Sequence, residues 1–307
     1  MNKLIKNTLY FFLLVVIISY PLSIYITSNF STYNKQTWVL NKSGLKFDYA
    51  VLGSSRVNTM IDIHSLDTSF EKKGINIGTT GAGYAENYLV LSEFTEKNKI
   101  NTLILNTDEF SFNSVKWWRH PFHDYEFLPL FKKYNDVFYD YIPTWKFYLW
   151  KLIPLTKYLE YNERFHVKKM DQKKWDLTMG SQLSDSTQKQ DEKVFQKNQL
   201  QILKNQEPLK ELDKKYFIKI LELCSTKKIK VLFITTPIYS KNNAYRNAYF
   251  STYLDSVSKA FNIKYYGFEN LIKSDNITLF TDNNHMNRMG AIEYSINLGK
   301  ELKKNNE

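Results

Sequence analysis

Apolar residues along this chain occur in two alternating patterns, which predict strands separated by helices. Short, continuously apolar runs are typical of strands buried on both faces, and five occur, at residues 49–52, 74–78, 101–106, 229–235 and 263–266. Helices are predicted between and after them, at residues 62–73, 84–96, 209–227 and 243–261 and just past His285. Strands that alternate with helices predict an α/β fold, a three-layer sandwich with a central parallel sheet.

The amino-terminal segment has a different pattern, an almost uninterrupted apolar run over residues 9–26 that follows Lys3 and Lys6. Its 18 residues suffice to span a membrane, at the short end of the usual length. A cleavable signal peptide is the competing interpretation, but no Ala-x-Ala-like site follows, so we predict an uncleaved anchor over residues 1–29. Lysines on its amino-terminal side predict a single-pass protein with a cytoplasmic amino terminus and an extracytoplasmic globular domain.

The rest of the chain is predicted to form a polar stalk, residues 30–46, and one α/β domain, residues 47–307, with an insertion at about residues 111–207. The first half of the insertion is predicted to be helical and is rich in Trp, Tyr and Phe, which either pack the domain or line a groove for a sugar or lipid. Residues 168–206 are polar and are predicted to form a mobile loop and a surface helix. His120, His123 and Asp124 lack a further ligand at zinc spacing, so no metal site is predicted.

A candidate for chemistry follows the first strand, where the apolar run ends in Gly53, Ser54 and Ser55. Glycine allows a sharp turn out of the sheet, and the residues after it lie at the carboxyl edge, where open α/β sheets place their sites. Small polar residues also make ordinary turns, so this stretch alone does not establish a site.

Near the other end of the chain, Asp282 and His285 lie three residues apart, just before the last predicted helix. A nucleophilic serine needs an imidazole within hydrogen-bonding distance and a carboxylate that holds the other ring nitrogen. One tight turn carrying both groups offers a base and its orienting partner to a serine at the end of the first strand.

These residues resemble the motifs of the SGNH, or GDSL-type, hydrolases. The resemblance consists of the early Gly-x-Ser, a glycine-containing turn at residues 79–83 and an Asp-x-x-His-x-Asn-x-x-Gly at residues 282–290, spread over most of residues 47–303. It implies a flavodoxin-like sandwich, with Ser55 as nucleophile and Ser54 as the less favoured choice. It further implies His285 as base, Asp282 as its orienting residue, and an oxyanion hole formed by the amides of Ser55 and Gly81.

The third predicted strand departs from the family pattern. SGNH enzymes usually have Gly-x-Asn-Asp here, with the Asn side chain donating to the oxyanion, whereas this chain has Asp108 in that place. A carboxylate repels a developing negative charge unless it is protonated. Either Asp108 points elsewhere, the hole uses two backbone amides only, or the chemistry is altered. Asn106 is a candidate substitute donor.

Composition narrows the classes of function. Cys224 is the only cysteine, which excludes an intramolecular disulfide and a zinc site built on several cysteines, and its place on an apolar helix face marks it as a core residue. The net charge of +11 is not accompanied by an aromatic-basic recognition motif, so no nucleic-acid partner is predicted. The charge suits lipid headgroups or an anionic polymer. No cofactor is predicted.

An amino-terminal anchor, a Gly-Ser-Ser motif and a late Asp-x-x-His resemble the accessory proteins that work beside membrane-bound O-acyltransferases, among them DltD, the D-alanyl transfer protein of teichoic-acid modification. The resemblance implies a serine esterase or O-acyltransferase acting on acyl esters of cell-surface polysaccharide or teichoic acid. It also implies a multi-spanning membrane-bound O-acyltransferase as partner. The alternative, which Asp108 favours, is a catalytically silent scaffold or binding partner in an envelope polysaccharide pathway.

Overall fold

The computed structural model describes residues 3–29, 35–112, 130–158, 172–187, 208–239 and 248–305. The strands in these ranges are β1 (Lys46–Leu52), β2 (Gly74–Asn76), β3 (Lys99–Asn106), β4 (Lys230–Ile234) and β5 (Lys264–Tyr266). The helices in the same ranges are α1 (Lys3–Asn29), α2 (Lys35–Asn41), α3 (Ser55–Met60), α4 (Ile63–Phe70), α5 (Tyr84–Lys97), α6 (Asn135–Tyr141), α7 (Thr144–Leu152), α8 (Gln172–Leu177), α9 (Glu211–Thr226), α10 (Ala248–Ala260) and α11 (Arg288–Lys304).

All five strands are parallel and lie in the order β2-β1-β3-β4-β5. The chain passes from β1 to one side for β2 and then to the other side for β3, so the strand order reverses between β1 and β3. Open α/β sheets bind ligands outside the carboxyl ends of the strands at such a reversal. The segments that follow β1 and β3 therefore mark the expected site.

Two hydrophobic layers cover the sheet, because successive strand residues point to opposite faces. From β1, Ala50 and Leu52 enter the first layer, and Tyr49 and Val51 enter the second. The first layer is covered by α2, α5, α6, α7, α8, α9 and α10, and the second by α3, α4 and α11. The predicted three-layer α/β sandwich with a central parallel sheet is confirmed.

Each of the five predicted strands is present, with ends that differ by at most three residues from the predicted bounds. Two short helices, α2 and α3, were not predicted. They have seven and six residues, which is less than two full turns each, so their apolar residues show too little periodicity to indicate a helix.

Helix α2 lies in the range predicted as a polar stalk, yet its first five residues are buried. Trp38 joins the first layer and donates its indole N–H to Asp176 at 2.9 Å. Polar composition predicts exposure only when the polar side chains find no partners inside the fold, and here they do. This part of the predicted stalk packs on the domain.

Helix α1 contains one segment, Lys3–Ile26, that is long and apolar enough to cross a membrane. Most of its large apolar side chains are exposed, but Ser19 and Ser23, one turn apart, are buried. Ile26 packs against the first layer. One stripe of the carboxyl-terminal half of α1 therefore faces the domain.

The predicted aromatic insertion is described in part. In residues 130–158 the aromatic side chains pack on one another, with Phe131 in ring contact with Phe138, Phe147 and Trp150 at centroid distances of 5.3, 5.4 and 5.7 Å. All four belong to the first layer. The aromatic residues predicted at 117–127, with His120, His123 and Asp124, lie outside the described residues.

Residues 172–187, in the range predicted as a mobile loop and a surface helix, contain α8 and pack on the domain. Trp175 is buried, and the amide of Asn76 in β2 donates to the carbonyl of Met179 at 2.9 Å. A Cβ at Gly180 would lie 2.2 Å from the carbonyl oxygen of Asn76, so only glycine allows this approach. This packing was not predicted, because a single buried tryptophan produces no periodic pattern.

Candidate active site

The turn after β1 positions Ser55. A Cβ at Gly53 would lie 2.7 Å from Cγ2 of Val57 and 3.1 Å from Cβ of Asn106, so glycine is required where the chain leaves the sheet. Ser54 caps α3 by accepting the amide of Arg56 on its hydroxyl at 3.4 Å. Ser55 is the first residue of α3, and its side chain is partly exposed at the carboxyl edge.

A tight turn before α11 positions the imidazole of His285. Asp282 accepts the amides of Asn284 and His285 on Oδ1, at 2.7 and 2.9 Å, and the amide of Thr281 donates to the carbonyl of His285 at 2.8 Å. Asn287 then caps α11 by accepting the amide of Gly290 at 3.1 Å. The turn is therefore held by its own backbone and by the helix that it starts.

The structure brings the three predicted catalytic side chains together. Oγ of Ser55 lies 2.8 Å from Nε2 of His285, and Nδ1 of His285 lies 2.9 Å from Oδ2 of Asp282. Partial burial acts to raise the pKa of Asp282, but the hydrogen bond and charge of His285, with the two turn amides, outweigh it and hold that pKa below its ordinary value. Asp282 is thus a carboxylate at neutral pH, as the orienting role requires.

Asp108 and Ser54 face away from this line of groups. Oδ1 of Asp108 accepts the amide and the hydroxyl of Ser111 at 3.0 and 3.1 Å. Oδ2 accepts the side-chain amide of Asn106 at 3.2 Å and the hydroxyl of Ser54 at 3.3 Å. Asp108 is 2% exposed, so its carboxylate is buried among four donors. Of the two serines, Ser55 is the one that contacts the imidazole.

The predicted donor Asn106 is occupied by structural contacts. Its side-chain oxygen accepts the amide of Thr236 at 3.0 Å while its nitrogen donates to Asp108. The guanidinium of Arg56, directly after Ser55, donates to the carbonyl of Thr236. These bonds join the segments that follow β1, β3 and β4, so Asn106 serves as a link between loops in this structure.

Gly81 lies in the turn between β2 and α5, with a φ of +77° that favours glycine. The amide of Thr79 donates to the carbonyl of Gly53 at 3.1 Å, and the hydroxyl of Thr80 accepts from Asn58 of α3 at 2.8 Å. The turn is thus bonded to both ends of the segment that carries Ser55. Among the described residues, no backbone acceptor is bonded to the amide of Ser55 or of Gly81.

A buried lysine supports this turn and was missed in the sequence. Lys35, the first residue of α2, is 4% exposed, and Nζ lies 2.8 Å from Oδ1 of both Asn58 and Asn76. Burial lowers the pKa of Lys35 well below its ordinary value. The polar Asn76, inside the apolar run of the second strand, was a signal for a buried hydrogen-bond network. Its partner Lys35, however, lies in the range predicted as stalk.

Residues 181–187 connect the serine side of the site to the histidine side. The amide and side chain of Gln182 bond to Asn58, at 2.8 and 3.1 Å. Asp185 forms an ion pair with Arg288 at the start of α11, and the hydroxyl of Thr281 donates to the carbonyl of Ser186 at 3.0 Å. This segment therefore spans the site along one side.

No group of three or more His, Cys, Asp or Glu side chains arranged to hold a metal occurs in the part of the chain that the structure describes. Cys224 is buried in the first layer, and burial raises the pKa of its thiol to about 12. A thiol with so high a pKa is protonated at neutral pH and therefore unreactive, so Cys224 serves in packing.

No family model matches this chain, and no curated protein matches it. Among solved structures, it is similar to the crystal structure of a candidate acylhydrolase from Bacteroides fragilis, with 10% sequence identity, a TM-score of 0.39, and coverage of 92% of this chain and 94% of that one.

Proposed function

We propose that this protein is a membrane-anchored serine esterase or O-acyltransferase of the SGNH type, acting on acyl esters of cell-surface polysaccharide or teichoic acid. The observation that carries the proposal is the line of contacts from Ser55 through His285 to Asp282, with distances of 2.8 and 2.9 Å. A serine hydroxyl bonded to an imidazole, whose other nitrogen is held by a carboxylate, is the arrangement that activates serine as a nucleophile.

The chemistry would proceed through an acyl-serine ester. Oγ of Ser55 attacks the ester carbonyl while Nε2 of His285 takes the hydroxyl proton, and Asp282 stabilises the imidazolium that forms. The oxyanion is bound by the amides of Ser55 and Gly81. The imidazolium then protonates the leaving alkoxide. In the second half, water or a sugar hydroxyl gives its proton to His285 and attacks the acyl-serine. The bond between the acyl carbon and Oγ of Ser55 then breaks, and the imidazolium returns the proton to Oγ, which restores the serine.

The alternative, a catalytically silent scaffold, drew its support from Asp108 in the place of an oxyanion donor. Asp108 accepts four hydrogen bonds, from Ser111, Asn106 and Ser54. These bonds hold its carboxylate, which weakens the support for a silent scaffold. The substrate class rests on the resemblance to O-acylation accessory proteins and on the net charge of +11, which suits an anionic polymer.

Hydrolysis of nitrophenyl acetate by the full-length chain in detergent tests the activity, because this ester needs an activated serine and no acceptor. Turnover that is lost in Ser55→Ala supports an enzyme. No turnover in the parent, together with an unimpaired cellular role of Ser55→Ala, would favour the scaffold.

Location is a separate part of the proposal, with α1 as a spanning anchor and the domain outside the cytoplasm. A reporter fused after Glu307 should be active only on the outer side of the membrane. Activity of the reporter in the cytoplasm would overturn the proposed location.

A further inference from the structure

Helix α7 is apolar on two opposite faces. Phe147 and Trp150 are buried in the first layer, whereas Trp145, Tyr148 and Leu152 are 69%, 57% and 48% exposed. At 3.6 residues per turn, the three exposed side chains lie within about 60° of one another around the helix axis. We call these three residues the α7 face. A helix that is apolar all round is typical of a core or a membrane, and this one is covered by the domain on one face only.

An exposed aromatic side chain also lies on the neighbouring helix, α6. Tyr139 of α6 is 47% exposed and packs edge-on against Phe147, with ring centroids 4.9 Å apart. Single exposed apolar residues are ordinary on protein surfaces, but contiguous ones mark contact sites. Tryptophan and tyrosine are the side chains that favour the membrane–water interface, because each has an apolar ring and a polar group.

Both charged residues of α7 are lysines. Lys146 and Lys151 lie on the two flanks of the α7 face, with Lys151 held over the ring of Phe147 at 4.8 Å. The two acids of residues 130–158, Asp136 and Asp140, pair with lysines of α9. Lysines that border an apolar surface favour anionic lipid headgroups.

One hydrogen bond sets the position of α7 along the axis of α1. The hydroxyl of Tyr20 in α1 donates to the carbonyl of Lys151 at 2.9 Å. Tyr20 precedes Ile26, where the apolar span ends, by six residues, which is about 9 Å along a helix. Helices that lie in a membrane interface are buried by about 5–10 Å at the headgroup and acyl boundary. The carboxyl end of α7 is therefore level with the interface on the side of the bilayer away from Lys3.

We propose that the α7 face inserts into the interface of an anionic phospholipid bilayer and forms a second membrane contact beside the anchor. The inference rests on the proposed function only in requiring that α1 spans a membrane, and no turnover enters its test. Two contacts on one domain restrict its rotation about the anchor, so the carboxyl edge of the sheet keeps one orientation relative to the bilayer.

A polarity-sensitive fluorophore tests the contact in full-length chain reconstituted into phosphatidylglycerol–phosphatidylcholine vesicles. The label is attached at Trp145→Cys, at Leu14→Cys in the anchor, or at Lys300→Cys, an exposed position of α11 on the opposite side of the sheet. Buried Cys224 does not compete for the label. We expect blue-shifted emission at positions 145 and 14 with loss of intensity to spin-labelled lipid, and neither effect at position 300.

Emission at position 145 that matches position 300 would overturn the proposal, as would the absence of lipid quenching at both 145 and 14. Protection of position 145 from aqueous iodide without quenching by lipid would also overturn it, because a protein, such as a second copy of this chain, would then cover the face. Replacing phosphatidylglycerol by phosphatidylcholine should reduce the lipid quenching at position 145 and leave position 14 unchanged. Equal quenching in both vesicles would contradict the role of Lys146 and Lys151.

Discussion

The hydroxyl oxygen of Ser55 lies 2.8 Å from Nε2 of His285, although 230 positions of the chain separate the two residues. Backbone packing sets this distance on both sides. Gly53 allows the chain to turn sharply out of β1, and a Cβ at Gly290 would lie 2.3 Å from the carbonyl oxygen of Leu279, so glycine allows α11 to pack against the segment before the histidine turn. Two rigid elements thus present the nucleophile and the base to each other.

Ser55→Ala and His285→Ala are expected to have non-additive effects on kcat/KM, because the two side chains act in the same step. Each should lower kcat/KM for nitrophenyl acetate by about 10²–10⁴-fold, because each removes half of the same proton transfer. The double variant should be little worse than either single variant. Ser54→Ala, which removes a cap and a bond to Asp108, is the matched control and should lose much less. If the fold-decrease of kcat/KM in the double variant equals the product of the two single decreases, the two side chains do not share a step.

Asp108→Asn is expected to reduce stability without increasing turnover. The amide would keep one acceptor oxygen for Ser111, but its NH₂ group would meet the NH₂ of Asn106, donor against donor. We expect the free energy of unfolding in urea to fall by about 1–3 kcal/mol. Asp255→Asn changes an exposed carboxylate and should stay within about 0.5 kcal/mol of the parent.

A gain in turnover by Asp108→Asn would have the opposite meaning. It would place the Asp108 carboxylate beside the oxyanion during the reaction, against the four hydrogen bonds that it accepts in this structure.

Lys35 is expected to make stability depend on pH in the alkaline range. Its pKa in the folded chain lies well below its ordinary value of 10.5, so the unfolded chain binds more protons between those two values. Stability therefore rises as the pH increases through this window, because the buried ammonium loses its charge. In thermal unfolding, the melting temperature of the parent should rise relative to that of Lys35→Met as the pH increases towards 10.5.

The matched control for that series is Lys46→Met, which removes an exposed lysine of β1. A difference between the parent and Lys35→Met that is constant across the series, or shrinks as the pH rises, would show that Lys35 is not desolvated in the folded chain.

The strands and the layer arrangement could be predicted from sequence, because they depend on local pattern. The pairing of the serine and histidine turns was predicted from the resemblance to the SGNH hydrolases and from the chemistry that a nucleophilic serine needs. Continuous apolar runs mark buried parallel strands, and Gly53 and Asp282 mark sharp turns. The catalytic roles of Ser55, His285, Asp282 and Gly81 remain predictions, and the proposed variants and labelling test those of Ser55 and His285.

The supporting shell of the site could not be predicted, because it depends on contacts between distant polar segments. Lys35 and Gln182 both bond to Asn58, yet one lies in a range predicted as stalk and the other in a range predicted as a mobile loop. Polarity alone indicates solvent exposure, and only the fold reveals that these side chains satisfy one another. Asp108 is a similar case, since its sequence position suggested the oxyanion and its hydrogen bonds point to Ser111.

The most direct test of the central claim is the position of a fluorophosphonate adduct on the full-length chain, mapped by mass spectrometry of its peptides. This reagent phosphonylates an activated serine and needs no knowledge of the acyl group or acceptor. We expect the adduct on Ser55, with labelling lost in Ser55→Ala and strongly reduced in His285→Ala, and retained in Ser54→Ala. A folded parent chain that carries no adduct on Ser55, or carries it on Ser54, would contradict the account.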